Sequence, residues 1–149
     1  MELIIQSKKK KKIEKHREII FETFKKTLSF MKRHKKSCSI LVTDEPQIRA
    51  LNKKFRHIDY PTDVLAFPAE EKDCAYLGDI VISFTQAEKQ AKTYNEKLED
   101  ELARLVAHGT LHLLGETDYD PRSKKKMWDK QEKILKLLKQ TRLEETANG

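Results

Sequence analysis

The most apolar segment of the chain is Glu99–Leu114, which as a helix would carry Leu, Val or Ala on nearly every side. A helix that is apolar all round has no face suited to water, so it should run through the core. At 149 residues the chain is long enough to bury one such core without disulfides. We therefore expect residues 1–149 to form a single domain built around this helix.

The rest of the chain alternates short β-branched runs with amphipathic segments, which predicts an α+β fold. We expect a small mixed β-sheet of three to four strands, covered by about five helices. The predicted strands are Glu2–Ile5 at an edge, Cys38–Val42, Val64–Phe67 and Leu77–Ser83. The other predicted helices are Ile13–Arg33, Glu45–Phe55, Ala87–Tyr94 after a capping box from Ser83 to Gln86, and a final helix with Met127, Trp128, Gln131, Ile134, Leu135 and Leu138 on one stripe.

Two histidines, His108 and His112, lie one helical turn apart in the buried segment. Side chains at positions i and i+4 point the same way, with Cβ atoms about 6 Å apart, so both imidazoles can reach one divalent ion. Gly109 sits between them at a cost of roughly 1 kcal/mol relative to alanine, which indicates close approach of another backbone or a ligand. The alternative is that both histidines are ordinary core residues that donate to the backbone.

A third ligand is expected just beyond the helix. Gly115 can take the left-handed conformation that ends a helix, and the returning chain then offers oxygen ligands from Glu116, Asp118 and Asp120. Three protein ligands and one open position are typical of a catalytic zinc site. The pattern therefore favours a metal-dependent hydrolase. It differs from the HExxH motif of metalloproteases, because Gly109 occupies the place of the glutamate base.

The segment HGTLHLLGETD (His108–Asp118) resembles the HGxLHLxGYDH signature of the bacterial YbeY family. LNKKFRHIDYPTDVLAFP (Leu51–Pro68) and LGDIVIS (Leu77–Ser83) are similar to two further blocks of that family, in the same order. The resemblance implies a single-domain, zinc-dependent, single-strand-specific endoribonuclease that acts in 16S ribosomal RNA maturation and ribosome quality control. The implied fold is a small mixed sheet with helices packed around it.

The third ligand departs from the family pattern, since Asp118 stands where the family has its third histidine. A carboxylate oxygen is a legitimate zinc ligand, so the predicted metal ligands are His108, His112 and Asp118, with Glu116 as the rival to Asp118. The extra negative charge should acidify a bound water less and makes manganese or nickel more plausible than in the family's site. The expected cofactor is one Zn²⁺ ion or another divalent metal.

Arg56 and His112 are the predicted catalytic residues. We place Arg56 in a polar connection, Arg56–Thr62, where its guanidinium could bind the scissile phosphate bidentately, although a plain surface arginine is the alternative. Thr62 and Asp63 are expected to shape the turn. Asp79, inside an apolar run, should need a partner, either a ligand histidine or an arginine.

Glu101 and Arg104 are three positions apart on the metal helix and are expected to pair with each other.

Charge and cysteine content bear on the partners and the compartment. The formal net charge is +7, and much of the excess lies in two lysine runs, Lys8–Lys12 and Lys124–Lys126. Such a surface permits RNA binding without proving it, since it also suits a solvated, charge-rich surface. Cys38 and Cys74 form no CxxC pair and are expected to be reduced thiols. We expect a cytoplasmic protein that binds ribosomal RNA and the small ribosomal subunit, with no membrane or DNA partner.

Two other functions remain open from the residues alone. One is a metalloprotease or amidase with the same metal geometry, which Gly109 disfavours. The other is a non-catalytic ribosome-assembly factor in which the metal serves structure only.

Overall fold

In a computed structural model, which describes residues 1–71 and 74–148, the chain forms a four-stranded sheet with helices on both faces. The elements in chain order are β1 (Glu2–Gln6), α1 (Lys10–Glu14), α2 (Arg17–Phe30), β2 (Ser37–Thr43), α3 (Glu45–Arg56), β3 (Val64–Pro68), β4 (Tyr76–Ser83), α4 (Phe84–Thr93), α5 (Leu98–Leu113) and α6 (Pro121–Asn148). The predicted α+β class is confirmed.

The sheet is mixed, with strand order β1-β2-β4-β3. β1 pairs with β2 and β2 with β4 in parallel, whereas β3 runs antiparallel to β4. The parallel pairs need crossover connections, which α2 and α3 lie in. β1 is an edge strand, as predicted, and β3 is the other edge, where Pro68 at its end costs no interior ladder bond.

Both faces of β4 are covered, so its sequence is almost continuously apolar instead of alternating. Ile80 and Ile82 belong to the main core with α2, α4 and α5. Val81, which points the opposite way, packs in a smaller cluster with Ile48 of α3 and Leu65 of β3. The predicted central helix, α5, therefore lies between the sheet and α2 and α6, with most of its residues buried.

The predicted single helix from Ile13 to Arg33 is wrong in one respect, because two helices, α1 and α2, occupy this segment and separate at Lys15 and His16. Ile13 and Ile20 are both fully buried in one core cluster. Their spacing of two helical turns continues through the break, so apolar periodicity could not reveal it. The described residues consequently form six helices instead of about five.

The final helix, α6, begins at Pro121, earlier than its apolar stripe indicates. Asp120, expected among the oxygen donors near the metal, instead caps this helix: its carboxylate accepts from the Ser123 backbone N–H at 2.8 Å and from the Ser123 hydroxyl at 3.0 Å. Met127 is buried, but Trp128 is 55% exposed and does not belong to the buried stripe.

Among the described residues, no helix combines the length and the hydrophobicity that crossing a membrane requires.

Candidate metal centre

Helix α5 brings the two predicted histidines to one cluster. The rings of His108 and His112 lie edge to face, with their centroids 4.7 Å apart and their planes at 77°. Both side chains are half-buried. Because the helix that carries them is packed on both sides, the separation of the two rings is set by the core and not by a surface loop.

The chain returns to the histidines through the turn that ends α5. Gly115 has φ +100°, and two backbone bonds close the helix end: Gly115 N–H to the His112 carbonyl and Glu116 N–H to the Leu111 carbonyl, both 3.0 Å. This is the helix end that the sequence predicts from Gly115. It directs the following residues back over the last turn of α5.

Asp118 is the carboxylate that this turn brings to the histidines. Its Oδ2 atom is 3.7 Å from Nε2 of His112. One ligand atom each from His108, His112 and Asp118 lie within 4.8 Å of one another. Ligand atoms around a tetrahedral zinc are about 3.3 Å apart, given zinc–ligand distances near 2 Å, so the atoms of this cluster lie somewhat farther apart than one bound ion would hold them. The donor types present nevertheless fit one divalent ion.

The rival carboxylate, Glu116, lines the same cavity but does not belong to the cluster of ligand atoms. It forms an ion pair with Lys130 of α6, which engages its carboxylate. This placement favours Asp118 as the third ligand.

His108 is oriented from α6. Its Nδ1 atom is 3.0 Å from the side-chain oxygen of Gln131, which is 3% exposed. An acceptor on one ring nitrogen fixes the ring and leaves the other nitrogen for a metal, as outer partners of ligand histidines commonly do. The sequence placed Gln131 only on the apolar stripe of α6; a polar residue in such a stripe is the signal that was available.

Asp79 contacts neither a ligand histidine nor an arginine among the described residues, so both partners predicted for it are wrong. It is an exposed residue on β4, and its carboxylate accepts a hydrogen bond from the Tyr76 hydroxyl. The strand presents Asp79 on the face of the sheet opposite α5, away from the histidines.

Burial lowers the pKa of His112 below that of an exposed histidine, and neighbouring His108 and Arg56 lower it further, against the opposing effect of Asp118. A lowered pKa keeps the imidazole neutral at neutral pH. Neutral imidazole is the form that binds a metal.

Arg56 is the last residue of α3, not part of a loop as predicted, and it faces the histidines. One of its terminal N–H groups donates to the Ala66 carbonyl of β3 at 3.0 Å, and the guanidinium lies 5.9 Å from the centroid of the Phe67 ring. Arg56, His112 and Asp118 line one cavity of about 560 Å³. A positive, positioned guanidinium therefore shares a cavity with the metal cluster.

One polar residue that lines this cavity, Asp63, acts within the fold. Asp63, expected to shape the turn with Thr62, accepts from the Ser83 backbone N–H through its carbonyl at 2.9 Å and from the Gln90 amide through its carboxylate at 3.2 Å. It thus ties the chain before β3 to β4 and α4.

The predicted pair of Glu101 and Arg104 is confirmed, with a hydrogen bond of 3.0 Å. Arg104 also donates to Glu96 at 2.7 Å. Burial raises the pKa of Glu101, while Arg104 opposes that effect.

Gly109 makes a close approach, and the nearest atoms belong to a side chain of β4 instead of another backbone. A Cβ atom at this position would lie 2.9 Å from Cγ2 of Ile80. The glycine therefore lets α5 settle against β4, which fixes the height of His108 and His112 above the sheet.

The fold and the cluster together define the class: an α+β protein with a two-histidine, one-carboxylate candidate metal centre on a buried helix. Residues 3–139 match the family described as Endoribonuclease YbeY, and the chain belongs to this family. The match covers the three sequence blocks on which the resemblance rested.

Curated relatives and a solved structure agree with this assignment. A protein of Acholeplasma laidlawii named Endoribonuclease YbeY is 42% identical over 118 residues, covering 79% of this chain and 83% of the relative. A protein of the same name from Carboxydothermus hydrogenoformans is 46% identical over 101 residues, covering 67% and 71%. A solution structure of a Thermotoga maritima protein superposes with a TM-score of 0.64 at 29% identity, covering 99% of this chain and 95% of the other.

Proposed function

We propose that this protein is a metal-dependent endoribonuclease that cuts single-stranded RNA in the maturation of 16S ribosomal RNA and in ribosome quality control. The observation that carries the proposal is the meeting of His108, His112, Asp118 and Arg56 at one cavity, in a chain whose relatives are named endoribonucleases. Such a site combines metal ligands with a group suited to a phosphate.

The proposed cofactor is one Zn²⁺ ion held by His108, His112 and Asp118. When bound, the ion supplies Lewis-acid polarisation of a phosphoryl oxygen or activation of a water molecule. A histidine, histidine and aspartate set carries one negative charge, so manganese or nickel is the alternative to zinc. Gln131 serves this site by holding the ring of His108 in place.

Arg56 is proposed to bind the scissile phosphate. Its side chain is anchored by the Ala66 carbonyl at one nitrogen, and the fork retains further N–H donors for phosphate oxygens. A guanidinium fixed before the reaction stabilises the charge that develops during phosphodiester cleavage. The side chain of Arg56 thus has a role that a freely moving surface arginine would not fill.

Peptide hydrolysis is the weaker use of this geometry. The position that holds a glutamate base in HExxH proteins is Gly109, and its Cβ space is already filled by Ile80. A glutamate side chain would not fit there unless the side chain of Ile80 moved.

The proposed partners are ribosomal RNA and the small ribosomal subunit, in the cytoplasm, with neither DNA nor a membrane involved. The net charge of +7 favours association with a polyanion. Binding through phosphates should weaken as salt rises.

The test compares metal content and RNA cleavage in six variants, of which Glu116→Ala removes the rival ligand and should keep its metal. His108→Ala, His112→Ala and Asp118→Ala should lose metal, measured by mass spectrometry, together with cleavage of an unpaired ribosomal RNA fragment. Arg56→Ala should keep its metal and lose cleavage. Arg49→Ala is the matched control, because Arg49 is an exposed arginine of the same helix that pairs with Asp59.

Three results would contradict the proposal. If metal-loaded wild type leaves RNA intact in a range of buffers but cuts casein, the site is a peptide hydrolase. If it cuts neither and metal removal unfolds it, the metal is structural. If Asp118→Ala keeps its metal while Glu116→Ala loses it, the third ligand is Glu116.

A further inference from the structure

A second cavity, of about 590 Å³, lies beside the metal cluster and is distinct from the cavity that holds Arg56. The two cavities share part of their walls, including His108 and Asp118. A volume of this size lies in the range of pockets that hold a small organic group. A substrate chain bound at the metal could therefore extend into both cavities at once.

The wall of the second cavity is largely apolar. Val64, Leu105, Met127 and Trp128 contribute to it. Trp128 is 55% exposed even though it belongs to the same helix as the core residue Met127. An indole that lies against an apolar cavity and remains open to water offers a flat surface for a planar ligand.

Polar groups stand at the edges of this apolar wall. Arg104 lines it from α5, the metal helix, and Gln131, Lys124 and Lys125 line it from α6. The two lysines are exposed and form no ion pair within the described residues. Arg104 is already paired with Glu96 and Glu101, and Gln131 already contacts His108, so the groups left for a ligand are the indole and the two lysines. A stacking surface beside free positive charge matches the base and the phosphate of a nucleotide.

We propose that this cavity binds the base of an unpaired nucleotide adjacent to the scissile phosphate, with the base stacked on Trp128 and a flanking phosphate near Lys124 and Lys125. The inference rests on the proposed endoribonuclease function and adds the source of its strand preference. A base within a duplex is stacked on its neighbours and paired, so it cannot enter the cavity without being extruded. Single strands enter at no such cost.

The direct test uses intrinsic fluorescence, because Trp128 is the only tryptophan of the chain. The full chain, with zinc and again with a chelator that keeps the RNA uncut, is titrated with a short unpaired oligoribonucleotide. We expect the RNA to quench the fluorescence with a saturable dependence. The same strand annealed to its complement, or carrying one abasic nucleotide at the position next to the cut, should quench at least tenfold less effectively.

The variant test separates stacking from general effects. Trp128→Ala should raise the KM for unpaired RNA about tenfold with little change in kcat, which is within the usual effect of removing one base–aromatic stack. Trp128→Phe should restore most of the affinity. Tyr94→Ala is the control, since Tyr94 is also an aromatic residue, 69% exposed, and lines neither of the two cavities.

The outcomes distinguish this inference from the function on which it rests. If intact and abasic strands quench equally, or an unstructured peptide quenches and RNA does not, the base site is refuted. An unchanged KM in Trp128→Ala, with RNA still cut, refutes the base site and leaves the nuclease standing. Failure of metal-loaded wild type to cut any RNA refutes the nuclease, and the fluorescence titration still decides whether the cavity takes a base.

Discussion

Replacing Gly109 with alanine tests whether α5 is seated by contact with the sheet. In an ordinary helix interior this change stabilises the fold by about 1 kcal/mol, because glycine is a poor helix former. Here the added Cβ would lie 2.9 Å from Cγ2, 3.2 Å from Cδ1 and 3.3 Å from Cγ1 of Ile80. Ile80 is fully buried and β-branched, so it cannot swing aside.

The net effect follows from these two opposing contributions. Overpacking of a core typically costs about 1–3 kcal/mol, which equals or exceeds the gain of about 1 kcal/mol in helix propensity. We expect Gly109→Ala to lower the free energy of unfolding by about 1 kcal/mol. In an Ile80→Ala background the contact is gone, so the same change should raise the free energy of unfolding by about 1 kcal/mol.

Urea denaturation of the four proteins measures this difference between backgrounds. A stabilising effect of Gly109→Ala in the wild-type background would refute the proposed contact with Ile80. An equal loss in both backgrounds would assign the cost to some other neighbour. A loss of metal affinity without any loss of stability would indicate that Gly109 provides space for a ligand.

Three further results are expected. Gln131→Leu keeps the volume of the side chain but removes the oxygen that contacts His108. Metal affinity, measured by competition titration, should therefore fall about 10- to 100-fold while the fold is retained. Unchanged affinity would show that the contact does not orient the ring. Gly115→Ala should lower the free energy of unfolding, measured in urea, by about 1–2 kcal/mol, because the residue has φ +100°, a conformation that alanine adopts only with strain. An added Cβ would meet no neighbour, so the backbone alone accounts for the cost. A stabilising effect would contradict that conformation. Burial raises the pKa of the Cys38 thiol to about 12, whereas Cys74 is partly exposed. A thiol reagent near neutral pH should therefore modify Cys74 in the native protein and Cys38 only after unfolding. Rapid modification of both cysteines in the native protein would disprove the burial of Cys38.

The central helix and its histidine pair could be predicted because both depend on local rules. A segment that is apolar on every side has few places in a fold, and the spacing of His108 and His112 fixes their relative direction in any helix. The end at Gly115 follows from glycine's freedom in the same local way. These features do not depend on how the remaining elements pack.

The partners of these residues could not be predicted, because they come from elements distant in the chain. Gln131 reaches His108 only because α6 docks against α5, and no pattern along the chain gives that contact. Asp79 was misjudged for a related reason. The sequence neighbours of Asp79 are apolar, but strand alternation places Asp79 on the face of the sheet opposite to Ile80. The position of Asp79 on that face is exposed. The break between α1 and α2 was hidden because the apolar spacing runs through it.

The three proposed metal ligands differ in how far they can move. His108 and His112 belong to a helix that can shift only if the core opens, whereas Asp118 lies on the connection between α5 and α6, with a side chain that is 41% exposed. Local opening of such connections requires far less free energy than global unfolding. We expect the carboxylate to dissociate from the metal and rebind much faster than the histidines do. The rate of metal exchange is then set by this connection and not by the stability of the protein. In that case the half-life of the bound ion and the half-life of the folded state can be changed separately.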